Sequence, residues 1–472
     1  MAGQVLCTVL ENATTALTAE AGDQQAEAAT LLCRNAGMLL FRAIPAGDPD
    51  STHAAGAATA TVRRRLLAAA ADHWSEVIQD CLVEIEDEKT RPKPVSNTPA
   101  FPHPGAALDE ATLDRAAAKA RVGGLRSAAN ILTGGPAVPP GPETDRKIHA
   151  LFKMAADQTS DERSRFDDAL HMTGQLPPKV RSTIRPRVAS RIASHLRGSA
   201  GPGPSGFRNS FIQLVNDQPQ GPRVLAAWAT PWAQGTVQPW AAASWSHQIC
   251  RPFFKGDSVG VRPVMCGEAL FKYAAACAIF AATRSIQAAV GDFQYGAVRS
   301  GGAALQLAEV HAETRAHPDD VIASLDVKNA FGSITWADAL RVTTAVAPKL
   351  APFLGAIWGP GHQTIWTQAT SNGGWTSAAI AGSLVQGGPE AHNVFCLVMA
   401  EIIRETQRHA ALVDHPPPRT SQPAPIGAPP SAHPTAVPTG AHPTGVHTGA
   451  LATAPTGTNA PLLVTSPPPP PP

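Results

Sequence analysis

The segment Ser324–Phe331 contains the first candidate for chemistry in this sequence. Residues 321–327 are mostly apolar and predict a buried strand, with Asp326 at its carboxyl end. A carboxylate at a strand end is well placed to bind a metal ion, because the strand is rigid and its end opens on a cleft. Taken alone, the residues also fit a helix cap or an ion-paired aspartate.

Two further segments have residue types that suit a nucleotide. Residues 249–266 predict a β-hairpin with Lys255 before its turn and Arg262 after it, and two cations on a hairpin can bind a polyphosphate. Gln386-Gly-Gly-Pro389 precedes a predicted helix, and its glycines allow the backbone to approach a ligand closely. The alternatives are two exposed surface charges and an ordinary loop.

Residues 169–216 form the one strongly one-sided charge block of the chain, because they contain no aspartate or glutamate. Such a block is typical of a surface that contacts phosphates. It also fits a solvated helix face that is balanced by acids elsewhere. Its candidate nucleic-acid-binding residues are Lys179, Arg181, Arg185, Arg187, Arg191, Arg197 and Arg208.

The order and spacing of these segments resemble the reverse transcriptase domain of non-LTR (LINE-type) retrotransposons. That family has a basic hairpin with Arg-Pro, then Gln-x-Gly, then Asp-x-x-x-Ala-Phe, then Gln-Gly-x-Pro before a helix. The matching residues here are Arg262-Pro263, Gln294–Gly296, Asp326–Phe331 and Gln386–Pro389. Upstream, residues 201–209 and 119–132 are similar to the segments that precede the hairpin in the family. The resemblance covers residues 115–412 and is strongest over 250–400.

The resemblance implies a role for each matching residue. Asp326 would be the catalytic carboxylate that binds Mg²⁺, and Phe331 would exclude a ribose 2′-hydroxyl. The implied nucleotide-binding residues are Lys255, Arg262, Phe331, Gln386 and Gly387. The implied partners are an RNA template, a DNA primer and deoxynucleoside triphosphates. The implied reaction is attack of the primer 3′-hydroxyl on an α-phosphate, with two metal ions stabilising the attacking and leaving oxygens.

One motif of the family is missing from this chain. An aromatic residue followed by paired aspartates should come after the Gln-Gly helix, yet the last acid in the sequence is Asp414. One carboxylate does not hold two Mg²⁺ ions, since each needs several oxygen ligands. Glu390 also replaces the apolar residue expected after Pro389. We therefore expect a retroelement polymerase fragment that is inactive alone, and whether the chain is an enzyme stays open.

Two other classes of function stay open beside this one. The first is a non-catalytic nucleic-acid-binding module that keeps the hairpin and the basic block. The second is an Ala-rich helical interaction protein that acts through the proline-rich residues 415–472. Such a tail is expected to be disordered with stretches of polyproline II, and it could dock on domains with aromatic-lined grooves.

The elements that must position these residues follow from hydrophobic spacing. Residues 1–90 are rich in Ala and Leu and predict helices, including one continuous stretch over Val62–Glu88. The four tryptophans of Trp228–Trp245 are predicted to pack between layers. Further helices are predicted at Asp109–Leu132, Glu143–Ala156, Phe207–Val215, Gly267–Gln287, Trp336–Ala345 and Pro389–Ala411. In the last of these, the apolar stripe is Phe395, Met399, Ile402 and Ile403.

The expected fold class is α+β, with an Ala-rich helical N-terminal extension, the fingers and partial palm of a right-hand polymerase fold, and a disordered proline-rich tail. The expected regions are 1–90 (helical), 91–108 (linker), 109–200 (helical extension with the basic segment), 201–412 (reverse transcriptase-like) and 413–472 (tail). Of the 472 residues, 45 are Pro and 39 are Gly, so part of the chain is not expected to fold.

Composition excludes several other classes of protein. The net charge is +1, which argues against a wholly basic nucleic-acid coat, and seven widely spaced cysteines argue against a disulfide framework. Met1–Leu10 does not have the pattern of a secretory signal. The longest apolar run, Tyr273–Ala282, is shorter than the roughly 20 residues of a membrane span. We expect an intracellular protein of the nucleus or cytoplasm that binds no membrane.

Overall fold

The computed structural model describes residues 1–41, 52–90, 117, 138, 140–197, 202–254, 260–291, 294–296, 301–319, 327–368 and 374–414. Several sequence predictions lie outside these ranges: the linker 91–108, the helix 109–132 apart from residue 117, and the proline-rich tail. Lys255 and Asp326 also lie outside them, as does the strand 321–327 apart from Val327, which is exposed.

The N-terminal region is helical, as the sequence predicts. Its helices are α1 (Ala2–Ala16), α2 (Gln24–Phe41), α3 (Thr52–Ala70) and α4 (Trp74–Thr90). The prediction of one stretch over Val62–Glu88 is wrong, because Asp72 has φ +61° and breaks it into α3 and α4. Aspartate is among the few side chains that tolerate this left-handed backbone conformation.

Within the described residues, six helices follow before the first strand. They are α5 (Pro142–His149), α6 (Ser160–Gly174), α7 (Pro186–His195), α8 (Asn209–Asn216), α9 (Gly221–Gln234) and α10 (Pro239–Trp245). Short 3₁₀ turns lie at Ala155–Asp157 and Pro178–Val180. The start of α6 is a capping box, in which the Thr159 hydroxyl accepts from the Glu162 N–H and the Glu162 carboxylate accepts from the Thr159 N–H.

The described chain also contains a mixed sheet of four strands. Strands β1 (Gln248–Phe254) and β2 (Val261–Gly267) form the predicted antiparallel hairpin, with Gln248 opposite Gly267 and Phe254 opposite Val261. Strands β3 (Gln363–Gln368) and β4 (Trp375–Ile380) form a second hairpin that the sequence analysis does not predict. The strand order is β2-β1-β3-β4, and β1 runs parallel to β3.

The remaining helices of the described ranges are α11 (Ala269–Val290), α12 (Gly302–Ala316), α13 (Trp336–Val346), α14 (Ala351–Trp358) and α15 (Ala391–Asp414). Of the helices in the described ranges, α11 is the one that length and composition would allow to cross a membrane. Its most apolar window has a mean hydropathy of 1.2 and is 56% buried inside the protein. The helix therefore belongs to the protein's own core.

One large hydrophobic core joins elements from α1 to α15, and a smaller one lies against the sheet. Trp228, Trp232 and Trp245 are fully buried in the large core, which confirms that they are packing residues. Helix α1 packs on α8 and α9, so the N-terminal helices share this core with the region from residue 201 onward. The described chain is thus a mainly helical α+β protein.

The predicted helix 389–411 exists as α15, but its buried face differs from the predicted stripe. Its residues in the large core are Ala391, Val394, Cys396, Leu397 and Val398. Phe395 of the predicted stripe packs against that core, whereas Ile402 is 48% exposed. The predicted stripe is rotated by about one residue from the face of α15 that meets the core. In a helix with many apolar residues, spacing alone does not decide which of two adjacent faces meets the protein.

Candidate functional site

The Gln386–Gly388 segment is bound to the edge strand β2. The Met265 N–H donates to the Gln386 carbonyl oxygen at 2.8 Å. Gly387 has φ +105°, and a Cβ placed on it would lie 2.5 Å from the Met265 carbonyl oxygen. Both the backbone angle and the close approach require glycine here. The sequence analysis expects these glycines to approach a ligand, which stays a prediction, and in this structure the group that lies close to Gly387 is strand β2.

The Gln294–Gly296 segment is fastened to the first turn of α15. The Gly296 N–H donates to the Gln294 Oε1 at 2.9 Å, which closes a tight local turn. Nε2 of His392 lies 2.6 Å from the Gly296 carbonyl oxygen and donates to it as a ring N–H. The second predicted motif and the fourth therefore meet at the start of one helix, although about 90 residues separate them in the sequence.

Phe331 contacts the same helix. Its half-buried ring lies 5.1 Å, centroid to centroid, from the ring of Phe395. The turn before it is held by Asn329, which has φ +52° and whose Nδ2 donates to the Leu151 carbonyl oxygen at 2.9 Å. Ser383 donates to the Gly332 carbonyl oxygen at 3.1 Å, so this turn is also bound to the chain that leads into Gln386.

We call this meeting point the motif junction. Its members come from four separate parts of the sequence and meet at the beginning of α15. They are Met265, Gln294–Gly296, Phe331, Gln386–Gly388, His392 and Phe395. Two of the four motif segments of the family pattern therefore contact α15, and a third leads directly into it.

The cationic residues predicted for the triphosphate are not part of this junction. Arg262 is exposed on β2, three residues before Met265. An odd separation along a strand places two side chains on opposite faces, so Arg262 points away from the face that Met265 occupies. Lys255, its predicted partner, lies outside the described residues. A shared triphosphate site for the two cations stays a prediction.

Glu390 replaces an apolar residue and is buried like one. Only 1% of it is exposed, and its Oε2 has no hydrogen-bond partner among the described residues. Burial raises the pKa of this carboxyl to about 7. The family pattern expects an apolar residue here, and the position is buried as an apolar residue would be. Burying the charged form of a carboxyl group lowers the stability of the fold.

A magnesium site is not formed by the described residues. Within the ranges given above, no three His, Cys, Asp or Glu side chains come together in a way that could hold a metal ion. Asp326, the predicted ligand, lies outside those ranges. The Mg²⁺ site therefore stays a prediction, and we assign no step to a metal ion.

Most of the predicted nucleic-acid-binding residues are exposed on or beside α7 and α8. We call the six exposed ones the basic surface: Lys179, Arg185, Arg187, Arg191, Arg197 and Arg208. None of them makes an ion pair within the described part of the chain. The alternative interpretation, a solvated helix face that is balanced by acids elsewhere, therefore lacks support in the described residues.

Arg181 has a different role from the other six. Its Nη1 donates to the Gln234 carbonyl oxygen at 2.7 Å and its Nη2 to the Gly174 carbonyl oxygen at 3.4 Å. The guanidinium thus links the end of α6 to the end of α9. Carbonyl oxygens at a helix C-terminus attract cations, so this arginine stabilises the fold and is less available to a ligand.

The segment 201–209, which resembles the family upstream of the hairpin, is bound to the start of α11. Ser205 donates through its N–H to Glu268 Oε1 at 3.0 Å and through its hydroxyl to Glu268 Oε2 at 2.5 Å. Arg34 of α2 lies 3.8 Å from the same carboxylate. Burial raises the pKa of Glu268, and these donors offset part of that effect.

Sequence reasoning missed His392 and Ser383, because their hydrogen-bond partners are distant in sequence. His392 donates to the Gly296 carbonyl oxygen, and the Ser383 hydroxyl accepts from the Lys153 N–H at 2.9 Å and donates to the Gly332 carbonyl oxygen. No spacing rule signals such a contact. It also missed Phe280 of α11, which was included in an apolar run and is 42% exposed beside Arg191.

Comparison with models of known protein families gives no match for this sequence, and comparison with curated proteins gives none.

Proposed function

We propose that residues 201–412 are the fingers and partial palm of a reverse transcriptase of the non-LTR retrotransposon type. The observation that carries the proposal is the motif junction. Gln294–Gly296, Phe331 and Gln386–Gly388 were selected by sequence resemblance alone, and they meet at the start of α15. A nucleotide pocket requires its parts to be held together in a fixed geometry, which is what such convergence supplies.

In this proposal the chain binds the RNA template and the primer but does not polymerise. The basic surface supplies phosphate contacts, and the motif junction shapes one wall of the nucleotide pocket. Catalysis and Mg²⁺ binding need, in addition to Asp326, the paired aspartates that the family has after the Gln-Gly helix, and the last acid of this sequence is Asp414. Deoxynucleoside triphosphates would be substrates only of a polypeptide or assembly that provides those carboxylates.

A chimera tests the polymerase proposal. The second half of the palm and the thumb of an active enzyme of this family are joined after residue 412, and primer extension on an RNA template is measured with Mg²⁺. We expect extension by the chimera and none by the chain alone. Asp326→Asn should abolish the activity, at least about 1,000-fold, because it removes a metal ligand.

Asp319→Asn is the matched control, since Asp319 is an exposed aspartate seven positions upstream of Asp326 and carries the same charge. It should leave extension unchanged. An active chimera that is indifferent to Asp326→Asn would contradict the proposal, and so would extension by the chain alone that depends on Asp326.

The second candidate is a non-catalytic nucleic-acid-binding module, and the unpaired cations of the basic surface favour it. This candidate shares RNA binding with the first and differs only in chemistry. Tight, salt-dependent binding of RNA by the chain together with a folded but inactive chimera would select it.

A further inference from the structure

Four helices that pack on one another, α7, α8, α9 and α11, contain no aspartate or glutamate. The chain as a whole has a net charge of only +1, so this imbalance is local. Their cationic residues are Arg187, Arg191, Arg223, Lys272 and Arg284. A group of elements without acids produces a positive potential that no carboxylate of the same helices offsets.

A stripe of side chains on α11 leads from the core to this positive region. Tyr273, Cys277, Phe280 and Arg284 are spaced four, three and four residues apart and therefore share one face of the helix. Tyr273 and Cys277 are fully buried, and the Tyr273 hydroxyl donates to the Ala189 carbonyl oxygen of α7 at 3.1 Å. The stripe leaves the core at Phe280, which is 42% exposed.

The exposed ring has an arginine beside it. Cζ of Arg191 in α7 lies 5.7 Å from the centroid of the Phe280 ring. An exposed cation–π contact contributes only about 0.5–1 kcal/mol, which is less than burying the ring would contribute. The phenyl face and the guanidinium plane are the two side-chain surfaces on which unpaired nucleobases stack in proteins.

We propose that Phe280, flanked by Arg191 and Arg284, binds single-stranded RNA by stacking one base on its ring while the arginines contact the neighbouring phosphates. This inference rests on the nucleic-acid binding of the proposed function and extends the interface from α7 onto α11. A duplex keeps its bases stacked on each other and offers only its backbone to such a surface. A single strand offers bases and phosphates together, so the ring selects the single strand.

Binding by the full chain to two RNA probes tests the inference. One probe is an unpaired strand of roughly 15 nucleotides and the other a duplex of the same length, both read by fluorescence anisotropy. Phe280→Ala should weaken single-strand binding about 10-fold, since one stacked base contributes on the order of 1–3 kcal/mol. Binding to the duplex should change less than about 2-fold, because it does not use the ring.

The salt dependence separates the ring from the cations. Phe280→Ala removes no charge, so the slope of log affinity against log salt concentration should stay the same. Arg284→Gln should reduce that slope by about 0.7 for the single strand, because it removes one phosphate contact. Phe280→Leu keeps an apolar side chain at the position and removes the aromatic face, and it should reproduce the loss seen with alanine. Phe280→Trp should retain or improve binding.

Trp375 provides a matched control, because it is also 42% exposed and Cζ of Arg251 lies 5.5 Å from its ring. It stands on the sheet, away from the acid-free helices, and Trp375→Ala should leave both affinities unchanged. Equal losses for strand and duplex with Phe280→Leu would overturn the inference. No loss at all would overturn it while leaving the proposed RNA binding intact, and failure of the unaltered chain to bind either RNA would overturn both.

Discussion

At the motif junction, side chains and backbone groups from distant parts of the sequence contact one another, whereas at the basic surface six cations are exposed without an ion pair in the described chain. The junction is made of carbonyl oxygens, N–H groups, glycines, two phenyl rings and an imidazole, and its contacts serve the fold directly. The cations contribute little to the fold, since exposed charges are worth little to stability.

This difference separates two ways in which a sequence motif can matter. Residues of the junction cannot be changed without disturbing the packing, so their effects on function and on stability are linked. Residues of the basic surface can be changed with little effect on folding, so any loss of function reports on a ligand. Substitutions at the junction should therefore lower stability, whereas substitutions at the basic surface should lower RNA affinity.

The largest expected effect lies at the basic surface. Replacing Arg185, Arg187 and Arg191 together with glutamine should flatten the salt slope of RNA binding by about two to three units, because each phosphate contact contributes about 0.7–0.9. At low salt the affinity should fall on the order of 1,000-fold, with the midpoint of thermal unfolding nearly unchanged. The measurement is a titration series over salt concentration together with a melting curve.

The control for that variant is a triple change at cations that do have partners. Lys147, Arg163 and Arg341 each pair with a carboxylate of their own helix, and replacing all three with glutamine removes the same charge. The slope should then change much less. Equal slopes for both triple variants would show that only net charge matters, and the basic surface would lose its special status.

The second prediction concerns the buried carboxyl at the junction. The pKa of Glu390 is raised by burial from an ordinary value of 4.5 to about 7, so the folded state binds its proton more tightly than the unfolded state. The free energy of unfolding is therefore highest below pH 4.5 with respect to this group, falls as pH rises to about 7, and is level above that. The total decrease should be about 3 kcal/mol.

Glu390→Gln tests this prediction, because glutamine has the same shape and no titration. Chemical unfolding at several pH values should show that the variant loses this decline and is more stable than the original chain at pH 8. Glu309→Gln, at an exposed position of α12, should leave the pH profile as it was. A profile that is identical for Glu390→Gln and the original chain would mean that the carboxyl is solvated.

The smallest of the three effects is expected for the glycine at the strand contact. Gly387→Ala introduces a Cβ 2.5 Å from the Met265 carbonyl oxygen at φ +105°, so it should cost about 2–3 kcal/mol in the free energy of unfolding. Gly382→Ala has a similar angle, φ +90°, but its Cβ would meet only Lys153 Cγ at 3.8 Å. It should cost about 1 kcal/mol, from the backbone angle alone. Urea denaturation measures both.

The difference between the two glycine variants isolates the contact with β2. If both cost the same, the junction is not held against the strand as closely as the structure shows. RNA affinity of the folded fraction should be unchanged in both variants, in contrast to the triple arginine variant. A loss of stability without a loss of RNA affinity would identify the junction as a packing motif and distinguish it from the binding surface.

Much of the secondary structure could be read from the sequence, because it depends on local spacing. Apolar residues at helical intervals indicated the N-terminal helices, α11 and α13, and the hairpin β1–β2 followed from two apolar runs around a Gly-Asp turn. The strands β3 and β4 were missed, since each has only six residues and neither alternates apolar and polar residues: β3 is Gln-Thr-Ile-Trp-Thr-Gln and β4 is Trp-Thr-Ser-Ala-Ala-Ile.

The candidate site divides along the same line. The resemblance named Gln386, Gly387 and Phe331, and the charge block named the arginines of α7, all from residue type and order. The contacts and exposure of these residues could not be predicted from the sequence. Whether an arginine is exposed like Arg187 or bound to carbonyl oxygens like Arg181 depends on which helix ends lie nearby.

Several of the helices, the one-sided charge block and the residues that match a polymerase pattern could be predicted from the sequence, because each of these is a property of neighbouring residues. Tertiary packing alone brings His392 to Gly296, buries Glu390 and places the exposed Phe280 beside Arg191. These are contacts between segments far apart in the chain. Local spacing cannot specify them, because they depend on how whole elements pack, and that packing is fixed by the summed burial of many residues.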